Sequence, residues 1–256
     1  MPLPRTLRKA LKSVPLSLGS LSTSHADFIL RQICAALSWG LFPRRFRFHL
    51  CDMNTLQQIR FVWKPLVFLA CLVPAVLVVT DAMQITGGLG ANPVEAILDR
   101  FGNWGLRFTM ITLAVTPLRR LSGWNWLIRF RRMLGLFAFF YVLMHFLTWL
   151  VLDQGLWWPA IVEDIGERPF ITLGFTAFLL LSAMAVTSTN GMRRRLGRRW
   201  QQLHYSVYAV GALGVWHYWW QVKADIREPL VYAVILAFLL GYRLWQRRRR
   251  FGFSEA

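Results

Sequence analysis

Cysteine is scarce in this chain: Cys34, Cys51 and Cys71 form no CxxC and no paired spacing. Neither a disulfide framework nor a cysteine-built zinc or iron–sulfur site is indicated, so any metal chemistry must come from histidine. Acid is scarce too, with 12 Asp and Glu against 30 Lys and Arg. In a soluble protein the net charge of +18 would suggest a nucleic acid partner. Here the arginines sit in short blocks between apolar runs, as in cytoplasmic membrane loops, and no nucleic acid is read as a partner. No Gly-rich phosphate loop, Walker or dinucleotide fingerprint, or internal repeat is found.

What is plentiful is apolar. Hydrophobic residues make up 55% of the 256 positions, with 13 tryptophans, which exceeds an ordinary soluble domain and points to an integral membrane protein. Six apolar runs approach the length of a bilayer crossing: Pro65 to Thr80, Trp104 to Leu118, Met133 to Leu152, Phe170 to Thr187, Leu203 to Gln221 and Leu230 to Trp245. Loop charge orients them. The segments holding Arg119, Arg120, Arg129, Arg131 and Arg132, and then Arg193, Arg194, Arg195, Arg198 and Arg199, are expected to be cytoplasmic. The alternate loops carry Asp81, Glu95 and Asp99, then Asp153, Glu163, Asp164 and Glu167, and are expected on the opposite side. With Arg247 to Arg250 returning inside, the expectation is an all-α six-helix membrane bundle with both termini cytoplasmic. Residues 1–52 are basic and rich in Ser, Leu and Pro, without a secretory-type apolar region. They are read as an extension, with the natural start at Met53 and the working domain over 53–256. Trp104, Trp157, Trp158, Trp219 and Trp220 fall near the expected interfaces and read as belt anchors.

Three of the five histidines lie in the apolar region, whereas His25 and His49 lie in the extension. At about 1.5 Å rise per residue, His145 and His217 share one depth near the far leaflet, while His204 sits within a turn of the cytoplasmic end. One such histidine alone reads best as a buried polar side chain paired with a neighbouring helix. Two from different helices at one level suit the axial ligation of a b-type haem, with Gly211, Ala212 and Gly214 letting a porphyrin approach the backbone. His204 could ligate a second haem, giving a two-step electron path. Thirteen residues rotate His217 about 140° from His204 on a straight helix, so a shared facing direction needs a bend, which Gly211 and Gly214 could supply, or a long reach. Arg131 falls where a fourth ligand would be sought; a guanidinium is a poor iron donor but can bind a haem propionate or a flavin phosphate.

Four stretches, TGGLGANPVEAIL with GNWGLRF, TLAVTPLRR, RRMLGLFAFFYVLMH, and WQQLHYSVY with HYWW, resemble the MsrQ (YedZ) family. These are haem-binding membrane subunits of periplasmic methionine sulfoxide reductase systems, within the ferric reductase-like transmembrane group. The resemblance runs from about Lys64 to Trp245. It implies a bacterial inner-membrane electron-transfer subunit that does no sulfoxide chemistry itself. It further implies one or two b-type haems and FMN, a cytoplasmic flavin reductase or quinol as donor, and a periplasmic molybdopterin methionine sulfoxide reductase (MsrP) as acceptor. By residue match, His145, His204 and His217 would be the haem-associated histidines, and Arg131 the arginine standing where related ferric reductases carry histidine. Other readings of the same residues are a stand-alone ferric or quinone reductase, and a transporter or assembly factor without haem.

Overall fold

The computed structural model describes residues 55–222 and 225–252, and every element among them is helical. The chain falls into two units, Met1–Trp63 and Lys64–Ala256. In the first, the described residues form a short helix Thr55–Gln58 and a π-helical turn Ile59–Trp63. The extension 1–52, His25, His49 and Met53 lie outside the described residues.

The second unit opens with α1 (Lys64–Ala82). Leu66, Leu69, Val73, Val76 and Val79 on it are each more than half exposed, a surface that water would penalise and lipid tolerates. Pro74 lies inside this helix, and beside it the hydroxyl of Tyr141 enters the ladder. It donates to the Cys71 carbonyl at 2.7 Å and accepts from the Ala75 amide at 3.1 Å, the pair an uninterrupted helix would join directly. Tyr141 is wholly buried, so this insertion ties α1 to the histidine-bearing helix.

The second helix, α2 (Pro93–Ser122), begins earlier than its apolar run suggests. Asn92 accepts from the Glu95 amide at 3.4 Å and donates to the Glu95 carboxylate at 2.9 Å, with Pro93 in the first turn. The Asn92 side chain thus caps the helix, with proline where its missing N–H does no harm. The helix ends at Gly123, whose φ of 73° favours glycine. Inside it, Pro117 leaves the Leu113 carbonyl without its usual helical donor. The Arg243 guanidinium fills that place at 2.9 Å, while also bonding the Tyr208 hydroxyl and lying over its ring.

After α3 (Arg131–Thr148) a π-helical turn, Trp149–Asp153, leads to the surface helix α4 (Trp158–Glu167) and then α5 (Pro169–Val186). Short helices α6 (Asn190–Leu196) and α7 (Arg198–His204) precede α8 (Val207–Gln221) and α9 (Arg227–Gly252). Helices α2 and α3 pack closely because Gly105 presents no side chain: a Cβ there would lie 2.7 Å from Val142 Cγ2. One apolar core gathers Phe101, Phe108, Phe137 and Tyr141, with Trp104 packed against it, so Trp104 is a core residue more than a belt anchor. A second gathers Leu106, Leu113, Val207, Val215 and Leu236.

Each of the six apolar runs falls on helix. Four stretches, Ile59–Ala82, Arg131–Asp153, Pro169–Val186 and Arg227–Arg249, are long and apolar enough to cross a membrane. Helix α2 dilutes its apolar run with Gly105 and Arg107, and α8 is only 15 residues long. Arg107 is held within the bundle by the Tyr232 hydroxyl at 3.0 Å and by the Trp104 face at 4.9 Å.

Candidate functional site

His145 stands one turn beyond Tyr141 on α3, and His217 stands near the end of α8. Their rings lie 6.1 Å apart between centroids, with planes crossed at 80°. Each Nδ1 meets a backbone carbonyl: Leu98 of α2 at 2.9 Å for His145, and Phe170 of α5 at 2.7 Å for His217. A carbonyl only accepts, so Nδ1 carries the proton in both rings and Nε2 carries the free lone pair. Two neutral imidazoles are thereby oriented by second-sphere bonds, the arrangement that prepares histidine for metal ligation. Among the described residues no three His, Cys, Asp or Glu side chains converge to chelate an ion. The pair therefore suits a group that brings its own equatorial donors.

The two rings line a cavity of about 390 Å³ walled by α2, α3, α5 and α8. Its walls carry a repeat that inspection of the sequence had missed. An offset of 72 takes Leu98 to Phe170, Gly102 to Gly174 and His145 to His217, and each histidine follows its carbonyl partner by 47 residues. The same offset takes Gly105 to Ala177, Thr109 to Leu181 and Val142 to Gly214; in all, eleven pairs of lining residues are related this way. Helices α2 and α3 on one side, and α5 and α8 on the other, are thus two halves of one two-fold construction. Few side chains are shared between the halves, and the spacing of glycine and histidine is the signal in the sequence that marks the repeat.

His204 lies apart, at the opposite end. Its ring stacks on Trp200 at 3.9 Å, and its Nε2 lies 3.4 Å from the Thr187 hydroxyl. Trp200 in turn donates to the Thr187 carbonyl at 2.9 Å. Arg131 reaches inward to the Thr116 hydroxyl at 3.3 Å, within electrostatic range of His204 and Arg243. Its neighbour Arg132 turns outward to Ser188 and Asn190. The change of direction between His204 and His217 is made elsewhere than expected. Helix α7 ends at His204, and Tyr205 and Ser206 form a tight turn in which the Ser206 side chain and amide both reach the Leu203 carbonyl. Gly211 and Gly214 stay inside regular helix, and their missing side chains make room for Leu236 and Leu106 instead. Of the small residues expected to meet a porphyrin, Gly214 lines the cavity, whereas Ala212 faces an outer groove between α8 and α9.

The two ends differ in charge as well. All nine acidic residues of the described chain, from Asp81 to Glu228, fall at the His145–His217 end, leaving the other end to arginine. Both ion pairs found among the described residues, Arg100 with Asp81 and Arg168 with Asp164, sit at the acidic end.

Residues 101–215, running from α2 into α8, match the model of the ferric reductase like transmembrane component. A protein-methionine-sulfoxide reductase heme-binding subunit MsrQ from Xanthomonas euvesicatoria pv. vesicatoria is 52% identical over 188 residues, covering 72% of this chain and 86% of that protein. The chain belongs to the MsrQ family. MsrQ of Bordetella pertussis is 50% identical over 190 residues, covering 73% of this chain and 91% of that protein. MsrQ of Xanthomonas campestris pv. campestris is 56% identical over 164 residues, covering 64% and 75%. No solved structure matches the chain. The ferric reductase match takes in His145 and His204 and stops two residues short of His217.

Proposed function

We propose that this MsrQ-family chain is the haem-binding, electron-carrying membrane subunit of a methionine sulfoxide reductase system. The observation that carries the proposal is the convergence of His145 and His217. Two metal–imidazole bonds of about 2 Å each, with half of each ring, put coaxial ring centroids roughly 6 Å apart. The observed 6.1 Å fits that spacing, and both free Nε2 atoms belong to the tautomer that ligates iron. When bound, b-type haem supplies one-electron redox chemistry.

The protein's own residues do the rest. His145 and His217 would hold the haem iron through their Nε2 atoms. Phe146, Phe175 and Phe178 give the cavity an aromatic wall that excludes water. At the arginine-rich end we assign His204 and Arg131 to a second group. The other two described histidines are both at the far end, so His204 has no histidine opposite it, and Arg131 suits an anionic edge such as a haem propionate or the phosphate of FMN. Trp200 stacked on His204 supports a flat ligand there.

For topology we propose six crossings of the bacterial inner membrane, with the arginine loops and both termini cytoplasmic. The acidic end then faces the periplasm, where the acceptor would be a molybdopterin methionine sulfoxide reductase subunit (MsrP). Electrons would enter from a cytoplasmic flavin reductase or quinol. The domain boundary is proposed at residue 53.

A reduced-minus-oxidised visible spectrum of the detergent-purified chain, with a pyridine haemochrome count, tests the proposal. A b-type signal is expected; a flat spectrum from haem-replete cells would overturn it. Reduction of ferric chelates by the isolated chain without a partner would favour a stand-alone reductase.

A further inference from the structure

The segments LDRFG at 98–102 and FITLG at 170–174 each end in a glycine placed four residues after the carbonyl that accepts from a histidine. In a helix the carbonyl of one residue faces the amide four residues on, and a side chain at that later position partly covers the carbonyl. Glycine leaves it open. A Cβ on Gly102 would lie 3.0 Å from His145 Nδ1, and one on Gly174 would lie 2.9 Å from His217 Nδ1. Neither ring can give way cheaply, because each is held by its carbonyl and a shift would break that bond.

We propose that Gly102 and Gly174 are positioning residues for the two axial imidazoles. Each opens a notch in a helix wall through which an imidazole reaches the backbone, and the two notches together hold the ring planes crossed near a right angle. This rests on the haem reading above. Recurrence of carbonyl, glycine and histidine at one offset of 72 residues argues against chance, since two unrelated packing glycines have no reason to share that register. In a ferric site with two imidazole ligands, crossed planes leave two iron d orbitals nearly equal in energy and give a highly anisotropic low-spin EPR line; parallel planes split those orbitals and give a rhombic one.

The test uses the full chain, purified as wild type, Gly102→Ala, Gly174→Ala and two controls, with low-temperature EPR and haem per polypeptide as readouts. The line lost in His145→Ala identifies the paired site. Wild type is expected to show the anisotropic line. Each notch variant is expected to convert it to a rhombic or high-spin signal, with haem retention lowered several-fold. Gly241→Ala, where an added Cβ meets nothing within 4 Å, should change neither. Gly211→Ala, which crowds Leu236 and Leu113 and not a histidine, should lower yield while keeping the line shape of the haem that remains. Wild-type signals in both notch variants would overturn the inference, as would a Gly211→Ala line altered in the same way as theirs. A rhombic wild-type line would overturn it even if no notch variant could be recovered. Wild type without any haem would instead remove the underlying functional reading.

Discussion

The two ends of this bundle solve the problem of an intramembrane histidine differently. At the acidic end His145 and His217 are matched: same tautomer, same kind of carbonyl partner, same glycine beside each. At the arginine-rich end His204 is unmatched. The offset that relates the halves carries His204 back to Arg132, which faces Ser188 and Asn190, while Arg131 beside it turns inward. Helix α3 runs unbroken through this level, but the equivalent stretch in the second half is interrupted at Tyr205 and Ser206, so the symmetry fails where the break occurs. A ligand gripped from both sides needs the two-fold; a site bordered by cations on one side does not. The difference teaches that one end presents a matched pair of imidazoles across a cavity, and the other a single imidazole bordered by cations.

The sharpest way to break this contrast is to remove the ligands one at a time. His145→Ala or His217→Ala is expected to abolish the haem of the paired site completely, each with the same spectral loss. His204→Ala should leave that signal in place and perturb only what binds at the arginine end. Equal loss in all three variants, measured by haemochrome count and EPR, would show the ends to be one unit and end the layered assignment.

A smaller effect is expected at Arg131. Arg131→Met should weaken retention of an anionic cofactor at the arginine end, with flavin and haem content falling there while the paired-site spectrum is kept. Arg131→Lys should restore binding only in part, since an ammonium lacks the planar fork that grips a carboxylate or phosphate with two bonds. A changed paired-site spectrum in Arg131→Met would argue that this side chain serves the bundle as a whole.

Much of this was legible in the residues. The arginine and acid alternation marked the two ends, because charge is costly in lipid and therefore collects outside it. His145 and His217 could be placed at one level by counting rise alone. The start of α2 is marked by the Asn92 cap and Pro93, a polar first turn that apolar length alone does not register. The glycine notches and the repeat were missed for a different reason. They are contacts between helices about 47 residues apart in sequence, and only the shared offset of 72 hints at them. The bend was sought at Gly211 and Gly214, but glycine in a helix permits close packing as readily as bending, and Leu236 and Leu106 use the room.

The least of the expected effects concerns how the arginine end is held together. Pro117 frees the Leu113 carbonyl, and Arg243 caps it at 2.9 Å while also bonding Tyr208. Arg243→Met alone strands a buried acceptor and should cost about 1–3 kcal/mol. In a Pro117→Ala background the helix regains its own donor to Leu113, so the same Arg243→Met change should cost less by about 1 kcal/mol. The lost Tyr208 contact is common to both backgrounds and cancels in the cycle. Thermal unfolding in detergent of the four variants measures the coupling. Additive costs would place the value of Arg243 in its Tyr208 contact, and the proline-freed carbonyl would no longer explain why an arginine is kept inside the bundle beside Arg131.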